Sequence, residues 1–156
     1  MFEMVVKGLT LDPLTNMPII ILRDVPGQKA LPIWIGVFEA NAIALEMEKV
    51  STPRPMTHDL IRNILEGMKA KVNRNVIKDL KDNTFYAAIY IAQNNSEVVI
   101  DSRPSDAIAL ALRVEAPIFV AKKVLDEAKS IDLTEDKIKD QETEKWKEWL
   151  EQIKPE

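Results

Sequence analysis

Across the first hundred positions, apolar and β-branched residues alternate with polar ones in short runs. Period-two alternation marks half-buried strands. It predicts six of them, at about 2–10, 17–23, 30–35, 71–79, 84–92 and 97–101. Turn-forming stretches separate the runs: Asp12-Pro-Leu-Thr-Asn16, Val25-Pro-Gly-Gln28, Lys81-Asp-Asn83 and Gln93-Asn-Asn-Ser96. Elsewhere apolar residues recur three and four apart. That spacing predicts helices near 37–49, 57–69, 104–114, 122–129 and 135–153. A short strand, Pro117-Ile-Phe-Val-Ala121, follows the third of these helices.

The pattern occurs twice. Ile33 to Leu45 lies over Val98 to Leu110 at an offset of 65 residues, and both segments contain Ala-Ile-Ala-Leu. Upstream, Asn16 to Arg23 lies over Asn83 to Tyr90 at an offset of 67. The expected fold is therefore α+β, a duplicated β-β-β-α unit with the 57–69 helix inserted between the copies. Each copy's helix is apolar nearly all round, from Ala40 to Met47 and from Ala107 to Leu112, which predicts burial. A pseudo-twofold arrangement follows, with a mixed, mostly antiparallel sheet or half-barrel packed on buried helices. Residues 1–130 are expected to form this domain. Residues 131–156 are expected to form a charged C-terminal helix, whose stripe of Ile138, Trp146, Trp149, Leu150 and Ile153 packs on the body or on a partner subunit. Exposed sheet edges and this stripe predict a homodimer.

Composition narrows the function. No cysteine is present, so disulfides, thiolate nucleophiles and Cys-ligated zinc are excluded. No apolar run approaches the ~20 residues that span a bilayer, and the start carries no basic leader, so a soluble cytoplasmic protein with no membrane contact is expected. The net charge of −4 is uneven: from Lys122 onward there are 8 Lys and 11 acidic residues, leaving 13 basic and 14 acidic before it. A nearly neutral body lacks the broad basic footprint of tight, non-specific nucleic-acid binding, so contact with RNA or DNA is expected to be weak and local.

Two polar phrases stand out against this background. In Asp101-Ser-Arg-Pro-Ser-Asp106, Pro104 suits the first helical position, and Ser105 and Asp106 suit the free N–H groups of a helix start. Capping leaves Asp101 and Arg103 without a role, and an arginine between two aspartates suggests an ion-pair network or an anion-facing site. In Arg54-Pro-Met-Thr-His-Asp-Leu60, Thr57 reads as an N-cap and Asp59 as a first-turn acid that pairs with Arg62. His58 is the only histidine in the chain. The basic residues Lys69, Lys71, Arg74, Lys78 and Lys81 read as protection of an edge strand, or alternatively as phosphate contacts. Walker, dinucleotide-binding, zincin and nucleophile-elbow motifs are all missing.

Together with Leu31-Pro-Ile-Trp-Ile-Gly36, Glu39-Ala40 and Pro117-Ile-Phe-Val120, these phrases make the chain resemble the bifunctional nuclease domain family over about residues 4–125. The resemblance implies cleavage of both RNA and DNA. For such an enzyme the 2′-hydroxyl cannot be the obligatory nucleophile, so water attacks with the help of a base or a metal. The matching positions supply candidates. His58, Asp59, Asp101 and Asp106 are expected to be catalytic, and Arg54, Arg103 and Ser105 to bind phosphate. Glu39, Asp59, Asp101 and Asp106 are expected to hold Mg²⁺ or Mn²⁺. The alternative is a non-catalytic regulatory module that binds an anionic ligand with the same arginines and helix starts.

Overall fold

The computed structural model describes residues 1–24, 26, 27 and 29–128, and the backbone of 131–132. In chain order the elements are strands β1 (Phe2–Leu11), β2 (Pro18–Asp24) and β3 (Lys29–Trp34), and helices α1 (Val37–Met47) and α2 (Thr57–Gly67). Strands β4 (Lys71–Lys81), β5 (Thr84–Gln93) and β6 (Ser96–Ser102) follow, then α3 (Pro104–Val114), β7 (Ile118–Val120), α4 (Lys122–Ala128) and β8 (Ile131–Asp132). The β-β-β-α order thus occurs twice, with α2 between the two copies. The predicted helix at 135–153 lies outside the described residues.

One open, mixed, mostly antiparallel sheet runs in the order β6-β5-β4-β7-β1-β2-β3-β8. The short β7 joins the two meanders, pairing antiparallel to β1 and parallel to β4. β1 and β4 therefore run in opposite directions on either side of it, as a twofold normal to the sheet requires. Local chemistry sets the second meander. Lys81 pairs with Thr84 around Asp82-Asn83, and Gln93 pairs with Ser96 around Asn94-Asn95. All four turn residues have positive φ, between 51° and 65°. Asn and Asp tolerate that geometry, which matches the twist of two-residue hairpins.

Both apolar helices lie on one face of the sheet. Ile20, Leu22, Leu31, Ile33, Ile77 and Ile89 share a single core with Ile43, Leu45, Ile108 and Leu110. The buried alanines of α3, Ala107, Ala109 and Ala111, let it approach its neighbours closely, and it packs against α1, α2, β4 and β5. Two local expectations are corrected. Met56, not Thr57, is the N-cap of α2, because the Asp59 carboxylate accepts the Met56 backbone N–H at 3.0 Å and draws Thr57 into the first turn. The basic strand β4 is no edge: β5 and β7 flank it, and two of its basic residues are paired, Arg74 with Glu97 and Lys81 with Asp79. Among the described residues no helix is long and apolar enough to cross a membrane.

Candidate active site

The starts of α1, α2 and α3 are tied together by side chains. At α3, Arg103 occupies the N-cap in extended geometry and Pro104 takes the first helical position, as the sequence predicts. Asp106 does not cap the helix. Its Oδ1 lies 2.9 Å from His58 Nε2, and its Oδ2 accepts from Arg103 Nε at 3.0 Å. Arg103 Nη1 donates onward to Glu39 Oε1 at 2.9 Å. The result is a continuous chain, His58–Asp106–Arg103–Glu39, with one partner from α2, two from α3 and one from α1. Gly36, the N-cap of α1, makes room for it, since a Cβ there would collide with the Glu39 carboxylate.

Burial acts to raise the Asp106 carboxyl, but the hydrogen bonds from His58 and Arg103 outweigh it and hold the group below its ordinary value. Asp106 is therefore ionised at neutral pH, and His58 Nε2 must carry the hydrogen between them. In the tautomer that this contact selects, Nδ1 holds the lone pair. Arg103 is raised by its bonds to Asp106 and Glu39 and stays charged. Exposure peaks at Arg103: the His58 side chain is 9% exposed, that of Asp106 32%, that of Arg103 64% and that of Glu39 21%.

A second pair joins the first turn of α2 to the last turn of α3. Arg113, in the last turn of α3 with its side chain only 2% exposed, donates from Nε to Asp59 Oδ1 at 2.8 Å. It also donates to the backbone oxygens of Ala109 and Ala42, both at 2.9 Å. Burial acts to raise Asp59, but the Met56 N–H and Arg113 together keep it below its ordinary value. The expected Asp59–Arg62 pair is replaced by this one, and Arg62 turns to Asn63 Oδ1 at 3.3 Å. Arg113 escaped the sequence reading. The available signal was one charge closing an otherwise apolar helix run.

The predicted site residues fall into three places. His58, Asp106, Arg103 and Glu39 form the chain just described, and Ser105 lines a cleft of about 260 Å³ with Arg103, Trp34 and Phe85. Arg54 and Asp59 line another cleft, of about 310 Å³, with Arg62 and Arg113. Arg54 and Arg103 thus belong to separate clefts. Asp101 joins neither group. Its neighbour Ile100 pairs with the core residue Ile89, whereas Asp101 pairs with Ala88, so strand alternation turns it to the sheet face away from the helices. Glu39, Asp59, Asp101 and Asp106 are therefore not gathered into a cage for Mg²⁺ or Mn²⁺. Asp59 and Asp106 each have both oxygens occupied by protein donors. Among the described residues no group of three or more His, Asp or Glu side chains is placed to hold a metal ion.

Comparison with known proteins fits this arrangement into a family. The pattern defining the Bifunctional nuclease domain matches residues 20–132, which include every residue of both clusters. An uncharacterized protein of Mycobacterium tuberculosis is 39% identical over 161 residues, covering 99% of this chain and 96% of that protein. Bifunctional nuclease 1 of Oryza sativa subsp. japonica is 26% identical over 97 residues, covering 60% of this chain and 29% of that protein. Bifunctional nuclease 1 of Arabidopsis thaliana is 28% identical over 109 residues, covering 67% and 34%. With most of its length matched by the family pattern, the chain belongs to the bifunctional nuclease domain family.

Proposed function

We propose that the chain hydrolyses phosphodiester bonds of RNA and DNA, using the His58–Asp106 pair for proton transfer and Arg103 as the phosphate contact. One observation carries this reading: a single ionised carboxylate holds the imidazole through one oxygen and an exposed guanidinium through the other. The carboxylate fixes the His58 tautomer and stabilises the imidazolium that forms. Water attacks phosphorus as Nδ1 takes its proton. One P–O bond forms, the bond to the leaving sugar oxygen breaks, and that oxygen takes a proton from solvent. Arg103 spends Nε and Nη1 on Asp106 and Glu39, which leaves Nη2 for a non-bridging phosphate oxygen. The names of the plant relatives support the reaction class.

A second reading has its own support. His58 is nearly buried, and Arg103 is already balanced by two carboxylates, as a strut between helix starts would be. The chain would then be a non-catalytic module whose exposed arginines bind an anionic ligand. Two neutral substitutions separate the readings. Cleavage of RNA and DNA oligonucleotides is measured in Mg²⁺, Mn²⁺ and EDTA with identically purified wild type, Asp106→Asn and Asp101→Asn. The nuclease reading expects Asp106→Asn to lose about 100-fold, the lower range for general acid–base catalysis, and Asp101→Asn to keep wild-type rates. Equal cleavage by all three proteins would remove the His58–Asp106 pair from the reaction, and no cleavage by any of them would leave only the binding reading.

A further inference from the structure

The two ends of the sheet are finished differently. At one end β3 contains Pro32, which removes a donor from its edge, and β8 pairs with its first two residues. At the other end β6 carries no proline, no lysine and no bulge, and it pairs with β5 in unbroken register from Ser96 to Ser102. Its sequence is Ser-Glu-Val-Val-Ile-Asp-Ser. Val98, Val99 and Ile100 are 45%, 51% and 43% exposed. A regular seven-residue edge with an exposed Val-Val-Ile centre is a template for pairing with another strand, although Glu97 and Asp101 set charges near its two ends.

A second exposed apolar strip lies on α2, whose C-terminal end reaches the β5–β6 hairpin. Leu60, Ile64 and Met68 follow one another at four-residue spacing along α2 and its C-cap, each about half exposed. They occupy the flank of α2 turned away from Asp59, Arg62 and Glu66, which line the arginine-bordered clefts. Gln93 Nε2 donates to the Met68 carbonyl at 2.9 Å, tying this end of α2 to the β5–β6 hairpin. Val98 and Ile100 pair with Ile91 and Ile89, so they stand on the same sheet face as the helices.

We infer that β6 and α2 together form the interface with a second copy of this chain, related by a twofold axis normal to the sheet at Val99. Such an axis makes the β6 strands antiparallel and keeps both helix layers on one side, so a single operation covers the strand edge and brings the two α2 strips together. The strand is nearly palindromic about Val99: Val98 meets Ile100, Ser96 meets Ser102 and Glu97 meets Asp101. The like-charged pair falls beside Arg74, which stacks on the Tyr90 ring at 3.8 Å and reaches Glu97 at 3.3 Å from its own side. One arginine beside two carboxylates repeats what Arg103 does between Glu39 and Asp106 inside the chain. Asp101, which stands outside the His58–Asp106–Arg103–Glu39 chain, thereby comes to the side of the sheet where Arg74 of the other copy lies. The seam also repeats the internal symmetry, since β1 and β4 are already related in this way about β7.

Sedimentation velocity at about 20 μM is expected to give twice the 17.7 kDa chain mass. Val99→Lys, which sets two lysines against each other on the axis, and Ile64→Glu on α2 should each weaken association about 30-fold or more, the loss of one interface hot spot. Both residues are exposed, so each variant should keep a cooperative thermal transition. In the wild type, amides 96–102 should exchange more slowly as concentration rises, a readout that needs no variant. A monomer at this concentration would overturn the inference. So would a dimer that survives both substitutions, or amides 96–102 protected equally at every concentration, which would mean that the strand is covered from within the chain.

Discussion

Arg113 links three helices, through Asp59 of α2, Ala109 of α3 and Ala42 of α1. It is buried at the end of α3, and its guanidinium closes three contacts, one to Asp59 and two to helix carbonyls. Removing one member of a buried pair strands the other charge at a cost of about 3–5 kcal/mol. Arg113→Ala should therefore lose that much in chemical denaturation, and Asp59→Asn should lose a substantial part of it. The Asp59 contribution also has a defined pH dependence. Its folded carboxyl lies below its ordinary value, so the stabilisation is complete above the unfolded value of about 3.9 and is lost as pH falls through the folded value. The gap between wild type and Asp59→Asn should be constant above about pH 5 and close on further acidification. A gap that does not change with pH would show that the pair contributes no ionic stabilisation.

At the scale of elements, the helix starts decide where chemistry can occur. Pro104 and the apolar run behind it made α3 legible from sequence, and turn chemistry made the hairpins legible. What could not be read was how distant starts meet. His58 and Asp106 are 48 residues apart, and Arg103 and Glu39 are 64 apart, so only the packing of α1 and α2 on α3 brings them together. Asp101 misled for a related reason. It is two residues from Arg103 but still on β6, and one step of strand alternation sends it to the opposite face. Gly36 tests the coupling between elements. In Gly36→Ala the atoms nearest the new methyl are the flexible end of Glu39, so the carboxylate should swing off Arg103 at little cost to folding. A thermal midpoint within about 2 °C of wild type, a change of under 1 kcal/mol, together with an altered KM for oligonucleotides, is the expected result. An unchanged KM would remove Glu39 from the positioning of Arg103.

The whole molecule pairs two meanders around β7, and this order follows from the repeat in the sequence. Matched strings such as Ala-Ile-Ala-Leu announced the repeated β-β-β-α order, but nothing local announced that β4 would end inside the sheet rather than at its edge. The two β-β-β-α units differ at their helix starts. Gly36 and Glu39 stand in one, Arg103 and Asp106 in the other, and they interlock across the pseudo-twofold where α1 and α3 pack. The hydrolytic reading depends on that junction, and above all on the one imidazole beside it. The most direct test is the single-turnover cleavage rate of an RNA or DNA oligonucleotide by His58→Gln against wild type from matched preparations, with folding checked by thermal melting. A loss of about 100-fold or more is expected of a residue that moves the proton. Cleavage by a folded His58→Gln protein at the wild-type rate would contradict the account.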